Sequence, residues 1–292
     1  MKKHAPTIDQ DFAARILGCA ETPAGQALPP EAEHLVETLL DALERGEVRA
    51  AERDTEGAWH AIAWVKRGIL LGFRVGRMVE MSIGGHHGEP RFAFFDKHTF
   101  PPQPLTLEAG VRVVPGGTAV RRGAYLAHGV VCMPPSYVNV GAWIGSGTMV
   151  DSHALVGSCA QIGERVHLSA AAQIGGVLEP VNAAPVIIED EVLVGGNCGV
   201  YEGTVVRKGA VLGAGVVLTR GTPVYDLVHE RVYRGDAERT LEIPANAVVV
   251  PGARQVAAGW GAEQGLSLQT PVIVKYRDER TDLATALEGW LR

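Results

Sequence analysis

Through the middle of the chain an aliphatic or small apolar residue returns at every sixth position. The series runs Val114, Val120, Leu126, Cys132, Val138, Ile144, Val150, Val156, Ile162, Leu168 and Ile174. After a two-residue slip it resumes at Ile188, Val194, Val200, Val206, Leu212 and Leu218. A period of six fits neither an α-helix nor the alternation of an ordinary strand. It fits a short strand plus a tight corner, three such sides closing one triangular coil with the repeated side chain inward. About six coils fit between Val114 and Leu218. Stacked coils bury a core that none could bury alone, and each strand edge is paired by the next coil. The slip falls in GGVLEPVNAAPV, where Pro180 and Pro185 suit a loop leaving one corner. Carried across the slip, the register predicts one outward column of Asp151, Ser169, Glu189 and Arg207.

Before the repeats the pattern is helical. From about Asp9 to Phe73 apolar residues recur at helix spacing, as in Leu35, Leu39, Leu40 and Leu43, a stripe closed by Gly46. The nearly continuous apolar run from Trp59 to Val75 suits a buried helix or a strand pair, and helix is preferred. The Gly, Pro and His-rich stretch SIGGHHGEPRFAFFDKHTFPPQPLTLEAG reads as a long connection and a domain boundary. After Pro223 the repeat turns irregular. PANAVVVPGARQV reads as a last coil, TPVIVKY as a strand and TDLATALEGWLR as a helix, together capping the open end. The expected division is a helical part over 1–105, the repeats over 106–256 and a cap over 257–292.

Composition adds a glycine excess, 36 residues, which suits corners that need backbone conformations barred to other residues. A net charge of -6 offers no footprint for nucleic acid or an anionic membrane, so small molecules or further copies of the chain are the expected partners. The four cysteines lie far apart, against a zinc knuckle or disulfide framework. Asp9 and Asp11 interrupt any signal-peptide core and no apolar run is long enough to span a bilayer, so the expected location is the cytoplasm.

MPPSYVNVGAWIGSGTMVDSHALVGSCAQIGERVHLS, IGGVLEP, IIEDEVLVGGN and YEGTVV resemble the signature stretches of the tetrahydrodipicolinate N-succinyltransferases, and the likeness extends to WVKRGILLGFR, FFDK and PVIVKY. The resemblance implies a left-handed parallel β-helix with an N-terminal helical domain and a small C-terminal cap. It also implies a homotrimer with sites in the clefts between solenoids. The implied reaction moves a succinyl group from succinyl-CoA to the amine of ring-opened tetrahydrodipicolinate, a dicarboxylate, giving N-succinyl-2-amino-6-oxopimelate and CoA without a metal.

Site residues follow from the same resemblance. Asp151, outward after inward Val150, matches the family's acidic position and could orient the acceptor amine or take its proton; an aspartate there could equally stabilise a turn. Arg112 matches a substrate-contacting arginine suited to a carboxylate. Ser158 and Glu179 match positions lining the acceptor pocket. The CoA arm is expected near Gly195, Gly196, Gly213 and Ala214, with Arg207, Lys208 and Arg220 as phosphate contacts. Gly199 stands where many members carry a glutamate, leaving Glu179, Glu189 or Glu202 as substitutes. Cys159 admits a thioester reading, but nothing beside it in sequence activates a thiolate. His128, His153 and His167 lack the spacing of the zinc-dependent β-helix lyases. Acetyl transfer to the same acceptor, a zinc lyase and a non-catalytic scaffold are the competing readings.

Overall fold

The computed structural model describes residues 8, 10–84, 91–237 and 239–277. Its centre is a parallel β-helix. Two-residue strands stack into three sheets, and each strand pairs in parallel with the one a coil away. Side one of the coils comprises Arg112–Val113, Val131–Cys132, Met149–Val150, His167–Leu168, Leu193–Val194 and Val211–Leu212. Side two starts at Ala119–Val120 and ends at Val217–Leu218; side three starts at Tyr125–Leu126 and ends at Glu242–Ile243. The second residue of each pair forms the core: Ile144, Val150, Val156, Ile162, Leu168 and Ile174 are fully buried. The first repeat is irregular, since Cys132 pairs with Val113 and Val114 is only half-buried.

The expected two-residue slip is an eight-residue insertion. Ile162 pairs with Ile188, and Ile174 with Val200, so the fourteen-residue step from Ile174 to Ile188 spans one corner instead of two hexads and a remainder. This overturns the predicted outward column. Ser169 is followed one coil up by Gly195, and Glu189 stacks above Gly163 at a different corner. Periodicity counts residues, whereas the coil is closed by backbone pairing, which lets a corner loop grow without moving the strands on either side.

Three helices precede the solenoid: α1 (Gln10–Ala20), α2 (Ala32–Glu44) and α3 (Ala63–Val75). Their apolar faces, among them Ile16, Leu39 and Ile69, enclose one core that also takes in Val140 and Cys159 from the solenoid. Asp41 and Glu44 of α2 hold Arg122 and the Gly123 N–H, tying the helices to the same corner. The helical region is interrupted by a hairpin of β1 (Ala51–Arg53) and β2 (Trp59–Ala61), so the run from Trp59 is strand first and helix from Ala63. Asp54 causes the break: its Oδ1 accepts the N–H groups of Glu56 and Ala58, an Asx-type turn that competes with helix. At the far end Ala247–Gln255 adds a rung to side one and pairs antiparallel with Ser267–Tyr276, which covers it. The expected terminal helix and the HHGEP segment lie outside the described residues.

Leu168 is fully buried in the seam, whereas Leu107 is 96% exposed. Leu168→Ala should cost about 2–5 kcal/mol of stability in denaturant unfolding and Leu107→Ala less than about 0.5. Equal losses would contradict the inward register.

Candidate active site

Above the lowest coil, each coil turns from side one to side two through a four-residue first edge, and Asp151 opens one of these turns. Its N–H donates to Leu168 O at 2.9 Å and its Oδ1 accepts the Ser152 N–H at 2.7 Å. Its Oδ2 stands 4.0 Å from His167 Nε2. His167 lies on the outer face of side one, one rung up and paired with Met149. Its Nε2 is closed to solvent and has no hydrogen-bond partner among the described residues. Sequence reading weighed His167 only as a metal ligand; the signal for its place beside Asp151 was the eighteen-residue coil that pairs position 149 with 167.

The first edge continues upward from Asp151 through Ser169, Gly195 and Gly213, joined by the Ser169 N–H to Val194 O and the Gly195 N–H to Leu212 O. A Cβ on Gly195 would lie 2.6 Å from both Ala214 N and Leu212 O, so only glycine lets the coils stack this closely. Asp151 and the glycines expected to meet CoA thus share one edge, with Gly196 and Ala214 beside them. Arg112 projects from the lowest rung of side one, two rungs below Met149 or about 10 Å along the stack. It is exposed, and its guanidinium has no partner among the described residues.

The second edge, between sides two and three, carries Ser158 and Cys159. Cys159 is sealed beneath the helices, and burial pushes its thiol up to about 12. The eight-residue insertion leaves this edge, anchored where the Val177 N–H meets Ser158 O at 3.1 Å and where fully buried Lys66 donates Nζ–H to Ala183 O at 2.5 Å. Glu179, Tyr201, Glu202 and Arg220 line a cavity of about 550 Å³ here. Arg220 Nε is buried without a partner among the described residues. A Cβ on Gly199 would lie 2.5 Å from Tyr201 Cε2 and 2.9 Å from its hydroxyl oxygen, so the tyrosine ring fills the space above Gly199.

Glu189 and Arg207 sit on the third edge, between sides three and one. Glu189 accepts from Trp59 Nε1, Arg207 Nη1 and the Lys208 N–H, and Arg207 also binds Glu242 and Gly57 O. This network pins the hairpin to the solenoid. It leaves Glu189 and Arg207 apart from Gly195 and Gly213, while Glu179 and Glu202 share their cavity with Tyr201, whose ring lies against Gly199. Lys208, also on the third edge, pairs with Glu191 at 3.6 Å. No cluster of three metal-ligating side chains occurs among the described residues.

Two family models match the chain: tetrahydrodipicolinate N-succinyltransferase N-terminal over residues 6–75 and hexapeptide repeat of succinyl-transferase over residues 185–220. A 2,3,4,5-tetrahydropyridine-2,6-dicarboxylate N-succinyltransferase of Nitrobacter hamburgensis is 42% identical over 98% of this chain and 97% of its own. Its namesakes from Bradyrhizobium diazoefficiens and Rhodopseudomonas palustris are 43% and 41% identical over the same shares. The chain belongs to the tetrahydrodipicolinate N-succinyltransferase family. Its solenoid is accordingly the left-handed β-helix of the hexapeptide transferases. In this family member Asp151, Gly195, Gly196, Gly213 and Ala214 lie on the first edge and Ser158, Glu179 and Arg220 on or beside the second, whereas Arg112 stands on side one and Arg207 and Lys208 on the third edge.

Cys132, Cys159 and Cys198 are all buried, and desolvation raises their thiols to about 11, 12 and 11. Native protein at pH 8 should alkylate at these three at least about a hundredfold more slowly than unfolded protein, by mass spectrometry with iodoacetamide. Fast native labelling of Cys159 would revive the thioester intermediate.

Proposed function

We propose that the chain transfers the succinyl group of succinyl-CoA to ring-opened tetrahydrodipicolinate, releasing N-succinyl-2-amino-6-oxopimelate and CoA in lysine and diaminopimelate biosynthesis. The amine nitrogen attacks the thioester carbonyl, the C–S bond breaks, and the amine proton leaves through Asp151 while sulfur departs as CoA thiolate. The supporting observation is the shared first edge, where the Asp151 carboxylate stands on the same backbone column as the close-packed glycines at Gly195 and Gly213. Amides of a pantetheine arm along that column would bring the thioester to the carboxylate, so much of the acceleration comes from holding amine and thioester together.

Acceptor binding is assigned to Arg112, Asp151, Ser158 and Glu179; Arg220, expected from the sequence as a CoA phosphate contact, lines the cavity of Glu179 and is assigned instead as a second guanidinium for the dicarboxylate. Within one chain Asp151 and Glu179 occupy different edges. A homotrimer that sets the first edge of one copy against the second edge of the next would bring them together, a heterologous contact that closes by threefold rotation. We place the protein in the cytoplasm, with the helical part ending near residue 105 and the cap beginning near residue 257. No helix among the described residues is long and apolar enough to cross a membrane.

The test is release of free CoA thiol by purified protein given tetrahydrodipicolinate, with succinyl-CoA against acetyl-CoA and an acceptor-free blank. A clear succinyl preference is expected, and Asp151→Asn should lower kcat by about 10²–10⁴. Acetyl preference would change the donor, silence with both would overturn the reaction, and near-normal turnover by Asp151→Asn would remove it as base.

A further inference from the structure

A recess apart from the first and second edges lies under the N-terminal hairpin. It is a cavity of about 560 Å³ between β1–β2 and the third edge, with Arg49, Trp59, Tyr125, Trp143 and Asp190 in its wall. Arg49 is half-buried, and its guanidinium carbon lies 4.0 Å from the centre of the Trp143 ring and 5.6 Å from that of Trp59. Its Nε donates to Gln161 Oε1 at 3.0 Å. That uses one of its several N–H donors, and among the described residues no carboxylate forms an ion pair with it. Burial pulls its pKa down to about 10, which leaves it a cation at neutral pH, and Glu52 and Asp190 act on it only through space.

Asp190 is the complement. Its Oδ1 accepts the Glu164 N–H at 2.8 Å, and its Oδ2 has no hydrogen bond among the described residues. Of the other charged side chains in the wall, Arg53 lies 3.9 Å from Glu189, Lys208 pairs with Glu191 and Glu164 with Arg165. Arg49 and Asp190 are therefore the opposite charges there left without an ion-pair partner among the described residues, each with unused bonding capacity. The same cavity has an aromatic wall, Tyr125 packed on Trp143 with centroids 4.0 Å apart. A multiply charged anion such as a phosphate would face the Glu164, Glu189 and Asp190 carboxylates as well as Arg49, Arg53 and Lys208. A simple cation would face Arg49. The arrangement suits a small molecule with a carboxylate at one point and an ammonium at another, its carbon skeleton lying against the indoles.

We propose that this cavity binds a free α-amino acid, its carboxylate paired with the Arg49 guanidinium and its ammonium with the Asp190 carboxylate. The site is separate from the edges assigned to acyl transfer and does not rest on that assignment. Its ligand would bridge the N-terminal hairpin to the solenoid, alongside the Glu189, Arg207 and Trp59 network that already joins them.

Because Arg49 lies over Trp143, ligand entry should alter tryptophan emission. The full chain is titrated with L-lysine, L-glutamate, L-leucine and L-phenylalanine separately, and with acetate, methylamine and inorganic phosphate. At least one amino acid should give a saturable change, with acetate and methylamine each binding at least about tenfold more weakly. Arg49→Met and Asp190→Asn should each weaken that binding by about tenfold or more. If Arg49→Met fails to fold, Asp190→Asn decides alone, since its amide oxygen still accepts the Glu164 N–H. No saturable response to any amino acid, binding unchanged in Asp190→Asn, or phosphate binding more tightly than every amino acid would each overturn the proposal.

Discussion

Everything in this molecule hangs on the backbone ladder between successive coils. Each outward strand residue donates its N–H to a carbonyl one coil above, and the next residue sends an aliphatic side chain into the seam. The two requirements are coupled, because shifting the pairing by one residue would turn the whole inward set to solvent. Strand positions are therefore fixed and only corners are free to vary. An insertion, a docked helix or a reactive side chain has to sit on an edge.

The three edges have taken different parts. The first stays open and carries Asp151 with its column of tight glycine corners. The second is covered below by the helices, which bury Cys159 and Val140, and above sends out the inserted loop with Glu179. The third is clamped by the hairpin through the bonds of Trp59, Glu189 and Arg207. Lys66 shows how the parts depend on one another. Fully buried in α3, it spends its Nζ on a carbonyl of the inserted loop, so a residue of the helical region holds the segment that presents Glu179.

Much of this was legible in the sequence. The six-residue period gave the coil, its inward residues and their approximate number, and the α2 stripe of Leu35, Leu39, Leu40 and Leu43 is buried as its spacing implies. What failed was arithmetic across the insertion. A fourteen-residue gap reads equally as two hexads and a slip or as one hexad and a loop, and only backbone pairing decides between them. That error put Glu189 and Arg207 above Asp151 and hid the alignment of Asp151 with Gly195. The nearness of His167 to Asp151 was missed for a different reason. The contact lies between neighbouring coils, where only the eighteen-residue spacing from 149 to 167 points to it, and nothing in the residue type does.

The claim that ties these features together is that Asp151 of one copy works with Glu179 of the next. It is tested most directly by co-expressing Asp151→Asn and Glu179→Ala, each expected to lose most of its activity alone, in equal amounts and assaying succinyl-CoA-dependent thiol release. Sites shared between neighbours in a threefold ring should restore about a quarter of normal activity, since random mixing leaves that share of interfaces with both native residues. Activity no higher than that of either variant alone would contradict the account and return both residues to a site within one chain.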